Sequence, residues 1–338
     1  MNRSSILEVA KLAGVSPSTV SRVTNNSSIV KEATLKKVQD AMAKLGYRPN
    51  SAAQSLSSKR SNTLGMVVAM LDGPFYGPMI SGVESALRAH GKHLIIASGS
   101  GTTEGEEEAV EFLLNRQVDG LILLTEGLGA RYLEDLSKRL PIYMINQTVE
   151  SLSERNVLLD DVDGGYKATR YLIERGHTEI ACIGGQEFKH DANDRVKGYK
   201  LALREAGLAV LDDRIVRTSF EVQGGIDGME KLKALGAKFT ALVVGNDESA
   251  LGVYAWATKN GVNIPNDLSI IGYDDILMAR YLNPPLTTMH APNFEMAKAC
   301  ADAAFREIYC KVAPSGNTFK TVLVERNSTR LIKSPEFI

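Results

Sequence analysis

The chain has 338 residues, 44% of them apolar, with 39 Lys/Arg against 40 Asp/Glu. That length exceeds a single domain, and that balance is the composition of a folded globular chain rather than a disordered or fibrous one. No apolar run of about 18 residues is present, so a membrane-spanning helix is excluded.

The near-zero net charge hides an uneven distribution. Residues 1–60 hold ten Lys/Arg against three Asp/Glu, and the remainder holds 29 against 37. A basic end is often only a solvated tail, but this one is helically patterned. A phosphate-binding footprint is therefore expected on a small basic module attached to a larger acidic body. Ser4 to Ala13 is amphipathic and capped, unlike the apolar core of a signal peptide. Cys182, Cys300 and Cys310 lack CxxC or metal spacing and read as residues of a reducing compartment. A cytoplasmic location is expected.

In chain order, SILEVAKLAGVSPSTVSRVTN, residues 5–25, predicts two short helices joined by a tight turn. Ser5 with Glu8 three residues later forms a capping box, so the first helix starts at Ile6. Val9, Ala10 and Ala13 share its apolar face, and Gly14 ends it. Ser16 caps a second helix with Pro17 at its first position. Val20 and Val23 form its narrow apolar stripe. Ser18, Thr19, Ser21, Arg22 and Asn25 lie on the other face, side chains suited to phosphates and base edges. Two packed surface helices would be the ordinary reading of a generic pattern of this kind. A third helix is expected from Glu32 to Leu45, with Leu35, Val38, Met42 and Leu45 on one face and Gly46 as its stop. Lys31 leaves its start without a side-chain cap.

Residues 47–63, YRPNSAAQSLSSKRSNT, are polar and poor in core formers. They read as a linker, with a helix over Ser51 to Leu56 too short to stand alone. After Thr63 the pattern changes to strands alternating with helices of about a dozen residues. TLGMVVAML, HLIIAS, VDGLILL and LPIYMIN are strands, followed after Asp160 by EIACIGG, FTALVVG and LSIIGYD. This predicts two doubly wound parallel sheets with helices on both faces. Late segments then return: a strand at 286–292, a helix over Phe294 to Tyr309 and a strand at 320–329. Such crossing back implies discontinuous lobes.

Catalytic constellations are absent: no HExxH, GxSxG, P-loop or CxxC occurs. Gly99-Ser100-Gly101 opens a dinucleotide-like loop, but its sixth position is Glu104. His90 and His93 do not make a metal site by themselves. No enzyme activity, cofactor or metal is expected. Instead, polar and aromatic residues gather at strand ends, where open α/β sheets bind ligands. These are Asp72, Phe75, Tyr76, Asn146, Gln147, Arg195, Phe220, Asn246 and Asp274; each alone also reads as a cap, a turn residue or a core aromatic. Asp247 is expected to cap the helix that follows it.

AxxAGVSxxTVSRVxN resembles the headpiece of the lactose-repressor/galactose-repressor (LacI/GalR) family of bacterial regulators, and DRVKGY, NDxxALG and IIGYDD match later elements of that family. The resemblance implies a small all-α helix-turn-helix headpiece plus a two-lobed α/β body like that of type I periplasmic binding proteins. It implies domains at 1–46 (headpiece), 47–62 (hinge) and 63–338 (effector binding and dimerisation). The lobes would span about 63–160 with 292–320, and 161–291 with 321–338. By this likeness Pro17, Ser18 and Arg22 face bases, while Ser5, Ser16, Thr19, Ser21 and Asn25 hold phosphates. Ala53 and Leu56 belong to the hinge helix, with Leu56 as the leucine that wedges into the minor groove. The nine strand-end residues form the effector cleft. Its arginine, asparagine and carboxylates would bind sugar hydroxyls, and Tyr76 and Phe220 would stack on the ring. The expected partners are double-stranded DNA with a palindromic operator, a sugar or sugar-phosphate effector, and a second copy of the chain. No terminal leucine heptad follows the last strand, so a homodimer is expected rather than a tetramer. The expected role is repression of carbohydrate-utilisation genes. A purine-responsive repressor of the same family, a periplasmic-type sugar-binding protein and a Rossmann-type enzyme are the alternatives.

Overall fold

The structure, a computed structural model, describes residues 5–24, 30–48 and 60–332. Two compact units divide at Asn62 and Thr63.

The first unit contains three helices, α1 (Ile6–Ala13), α2 (Pro17–Thr24) and α3 (Glu32–Leu45). The capping box predicted for Ser5 and Glu8 is present, and Gly14 closes α1 in the left-handed conformation at φ 64°. Lys31 makes no side-chain cap to α3, as its chemistry requires, and Gly46 ends that helix at φ 60°. Val9, Ala10, Val20, Val23, Val38 and Ala41 form the core, with Leu35, Met42 and Leu45 packed around it. Three amphipathic helices of this length gain little from propensity alone and are held by burying one shared apolar face.

The second unit is built on two six-stranded sheets. The chain runs through β1 (Thr63–Val68), α4 (Tyr76–Ala89), β2 (His93–Ser98), α5 (Thr103–Asn115), β3 (Leu121–Leu124), α6 (Ala130–Ser137), β4 (Ile142–Ile145) and β5 (Asn156–Leu159). It continues with α7 (Asp161–Glu174), β6 (Ile180–Gly184), α8 (His190–Glu205), β7 (Ile215–Arg217), α9 (Val222–Ala234), β8 (Ala241–Val244), α10 (Asp247–Asn260), β9 (Ser269–Asp274) and β10 (Thr287–His290). Then come α11 (Asn293–Cys310), β11 (Asn317–Phe319) and β12 (Val322–Val324). The first sheet has the order β11-β5-β4-β3-β1-β2 and the second β12-β10-β9-β8-β6-β7. All described pairings are parallel except β10 with β12. Strands β3, β4, β6, β8 and β9 are buried throughout, the signature of sheets covered on both faces.

Each sheet with its helices forms one lobe, and the chain passes between lobes three times. The crossings follow β5, β10 and β11. Helix α11 returns to the first lobe and packs on α4. There a Cβ on Gly82 would stand 2.3 Å from the Phe294 carbonyl oxygen, so only glycine admits this approach.

Sequence patterning missed four of these elements, β5, β7, β11 and α6. Strands β5 and β7 are too short, at four and three residues, to establish a period. Helix α6 has only two buried positions, Leu133 and Leu136, among polar neighbours. The strand expected at 320–329 is only β12, Val322–Val324, while β11 lies just before it at Asn317–Phe319 and belongs to the other sheet.

Candidate DNA-binding helix and effector cleft

Helix α2 exposes Pro17, Ser18 and Arg22, with Thr19 and Ser21 half-buried beside them. Its buried stripe is Val20 and Val23, so the core fixes which face points outward. Ser16 Oγ accepts the Thr19 amide at 3.2 Å and lies 2.8 Å from Ser18 Oγ and 2.9 Å from Thr19 Oγ1. The start of α2 therefore carries a cluster of three hydroxyls at the positive end of the helix, where an anion is favoured. Ser5 serves its own helix, exchanging bonds with Glu8 at 2.7 and 3.3 Å. Asn25, Ala53 and Leu56 lie outside the described residues.

In the second unit, a cavity of about 610 Å³ opens between the lobes at the strand ends. It brings together seven of the nine expected residues: Asp72, Phe75, Tyr76, Arg195, Phe220, Asn246 and Asp274. Asn146 and Gln147 instead line an adjoining chamber of about 280 Å³ on the other side of Phe75 and Tyr76. Both also tie strand ends together. Asn146 Oδ1 accepts the Leu159 amide at 3.1 Å, and Gln147 donates to the Leu128 carbonyl at 2.7 Å.

The floor of the cavity is an ion cluster. Arg195, near the start of α8, is buried. It donates from Nε to Asp161 at 2.8 Å and from Nη1 to the Gly245 carbonyl at 2.7 Å, and it pairs with Asp191 at 3.4 Å. Its guanidinium lies 3.9 Å over the Tyr273 ring and 5.4 Å from the Phe220 ring, so aromatic faces replace lost water. Tyr273 completes the cluster by donating to Asp161 at 2.7 Å.

Asp274 ends β9 at φ 102°, in a backbone region costly for a side chain with a Cβ. Its carboxylate is buried 3.9 Å from Arg195, and Oδ1 accepts no hydrogen bond. Burial pushes Asp274 up to about 7 against the opposing pull of Arg195, and likewise holds Asp161 at about 6. A buried acceptor without a donor is costly, and a hydroxyl or ammonium entering the cleft would satisfy it.

The NDxxALG segment divides its labour differently from the sequence expectation. Asn246, not Asp247, caps α10, accepting the Ser249 amide at 3.0 Å while donating to the Phe220 carbonyl at 2.9 Å. Asp247 is buried one residue further on. It accepts the Thr288 hydroxyl at 2.6 Å and the Ile276 amide at 2.9 Å, bracing the ends of β9 and β10. Both residues are thus committed to structure, and Asn246 reaches the cavity as part of its wall.

Sequence reasoning also missed Lys189, Asp191 and Glu248, which line the same cavity. Lys189 pairs with Glu126 at 2.6 Å, joining the β6–α8 loop of the second lobe to the β3–α6 loop of the first. Buried Glu106 holds the latter loop by accepting the amides of Glu126 and Gly127, each at 2.8 Å, and of Leu128 at 3.2 Å. Position after a strand was the available signal for Lys189 and Asp191. Among the described residues no group of His, Cys, Asp and Glu could hold a metal ion. No described helix is long and apolar enough to cross a membrane.

Comparison with known proteins agrees with both halves. Residues 5–50 match the family of bacterial regulatory proteins, lacI family, and residues 169–329 match a periplasmic binding protein-like domain. The HTH-type transcriptional regulator GalR of Escherichia coli (strain K12) is 36% identical over 325 residues, covering 96% of this chain and 95% of GalR. The HTH-type transcriptional repressor PurR of Vibrio campbellii is 36% identical over 295 residues, covering 87% of this chain and 88% of PurR. The structure is similar to that of the lac repressor dimer bound to operator and the anti-inducer ONPF. The TM-score is 0.87 at 26% identity, with 97% of this chain and 100% of that chain covered. Since the likeness to GalR runs through the helix-turn-helix unit and the two-lobed body alike, this chain belongs to the lacI family of bacterial transcriptional regulators.

Proposed function

We propose that the chain is a dimeric, cytoplasmic repressor of carbohydrate-utilisation genes whose grip on a palindromic operator is set by a sugar bound between the lobes. The observation that carries this reading is the buried Asp274 carboxylate, with its Oδ1 lacking a donor, beside Arg195 in a cleft walled by Phe75, Tyr76 and Phe220. Carboxylates that accept paired hydroxyls and aromatic faces that cover a ring are the chemistry of sugar recognition. GalR and PurR are equally identical to this chain, so overall likeness does not choose the ligand. The cleft chemistry favours the sugar, because a polyol meets the carboxylates with many donors and a flat nucleobase with few. On this reading the cleft binds its ligand and performs no chemistry on it.

Residues 1–46 serve as the DNA-reading headpiece, 47–62 as the hinge, and 63–338 as the effector and dimerisation body. Its lobes span about 63–160 with 292–320, and 161–291 with 321–338. In the headpiece Pro17, Ser18 and Arg22 meet base edges, while Ser5, Ser16, Thr19, Ser21 and Asn25 meet phosphates. Proline offers no polar group, so it reads a thymine methyl and leaves hydrogen-bonding readout to Ser18 and Arg22. Ala53 and Leu56 contact the minor groove. A two-fold dimer presents two headpieces to a palindrome. The turn after β9 supports such a dimer, since it exposes Leu277, Met278 and Tyr281 together.

The test is a mobility-shift titration of the full chain on intergenic DNA flanking its own gene, with and without hexoses, disaccharides and purine bases. Sequence-specific retardation that a sugar alters supports the reading. Retardation altered only by a purine base assigns the alternative ligand class, and absence of specific binding overturns the DNA role.

A further inference from the structure

The wall of the cleft is strongly acidic. Six carboxylates line it, Asp72, Glu126, Asp191, Glu221, Glu248 and Asp274, against two cations, Lys189 and Arg195. Both cations already hold partners within the protein. Lys189 is paired with Glu126, and Arg195 with Asp161 and Asp191. Among the described residues Asp72, Glu221 and Glu248 have no ion-pair partner.

These three acids converge from both lobes. Asp72 follows β1 of the first sheet, whereas Glu221 and Glu248 sit at the starts of α9 and α10 over the second. Burial raises the Glu248 carboxyl, and the charges of Glu221 and Asp72 raise it further, so both acids lie within electrostatic reach of Glu248 across the opening. A second, separate observation is the buried Oδ1 of Asp274, which lines the same cavity without a donor. No metal-holding group exists among the described residues to use this charge.

We infer that the effector is an amino sugar, a polyhydroxylated ring carrying a free ammonium, and not a phosphorylated sugar. The ring hydroxyls satisfy Asp274, and the ammonium lies among Asp72, Glu221 and Glu248. There it replaces like-charge repulsion between the lobes with attraction to both, which favours their closure. A phosphate would meet carboxylates and find no uncommitted cation. This inference rests on the sugar reading of the cleft.

The test is calorimetry on the full chain with glucosamine, galactosamine and mannosamine, each beside its parent hexose, its N-acetyl form and its 6-phosphate. One amine is expected to bind roughly three- to fivefold tighter than its parent hexose at low salt, the effect of about one ion pair, with the gap narrowing as salt is added. In Glu248→Gln, and separately in the exposed variant Glu221→Gln, the ratio of amine to hexose affinity should fall toward one. A hexose bound as tightly as its amine, a tighter 6-phosphate, or an unchanged ratio in both variants overturns the inference and leaves the sugar reading standing. If no sugar binds and a purine base does, or nothing binds, the sugar reading falls with it.

Discussion

Lys189 Nζ stands 2.6 Å from Glu126 Oε1, and this contact ties the two lobes together at the rim of the cleft. Glu126 is half-exposed, so the pair is worth no more than about 1 kcal/mol. Lys189→Ala should therefore leave the melting temperature nearly unchanged. It should weaken binding of whichever hexose or hexosamine the chain takes by up to about fivefold, because the closed arrangement loses one of its ties. Calorimetry decides; a loss of a hundredfold or more would make Lys189 a direct ligand contact instead.

Arg195 behaves differently because it is buried. Arg195→Ala removes the partner of Asp161 and leaves that carboxylate and Asp274 uncompensated inside the second lobe. A destabilisation of about 3–5 kcal/mol is expected in denaturant unfolding. A melt that shifts by less than one degree would contradict the ion cluster described above.

Asp274 makes the fold and the ligand respond oppositely to pH. Its folded value of about 7 lies above the ordinary carboxylate value of 3.8. The folded state therefore holds the proton more tightly, and its contribution to stability is greatest at low pH and fades as pH rises from about 4 to 7. Asp274→Asn should flatten that slope. A ligand donor to Oδ1 favours the ionised form, so binding should release a proton and tighten as pH rises through about 7. Heats measured in buffers of different ionisation enthalpy read this release directly, and proton uptake would be the contrary result.

Arg22 is the exposed cation of α2, opposite the buried Val20 and Val23. Arg22→Ala should cost about 1–3 kcal/mol on the true operator while binding to random DNA largely survives. Equal affinity of mutant and wild type for the operator would misplace α2.

Leu277 and Tyr281 are 63% and 70% exposed on one short turn. Light scattering should find a dimer, and the pair Leu277→Asp with Tyr281→Asp should shift it toward monomer. A stable tetramer, or a dimer indifferent to both charges, would place the interface elsewhere.

Much of this was legible in the residues. Ser5 with Glu8, Ser16 before Pro17, and Gly14 are local signals, since caps depend only on the few residues around them. The buried runs of β1, β3, β6 and β9 announced parallel sheets. Asp247 braces β9 and β10 instead of capping α10, and the sequence could not show this because its partners, Thr288 and Ile276, lie about thirty to forty positions away. The same distance hid Lys189 and Glu248. Each is an ordinary surface-type side chain until the second lobe is set against the first. Asp72 and Phe75, by contrast, could be named from the rule that α/β ligands sit at strand ends.

The split between β11 and β12 has a consequence for how the protein is made. Strand β11 pairs with β5, while β12, three residues later, pairs with β10 in the other sheet. Neither lobe is a contiguous stretch of chain. On the ribosome the first lobe cannot close its sheet when residue 160 emerges; its edge stays open until residue 319 has left the exit tunnel. By then β6 to β10 are already outside, and β12, three residues on, completes the second sheet at almost the same moment. The nascent regulator thus carries an unpaired β5 edge while nearly half of its 338 residues are made, the interval in which a chaperone has something to hold.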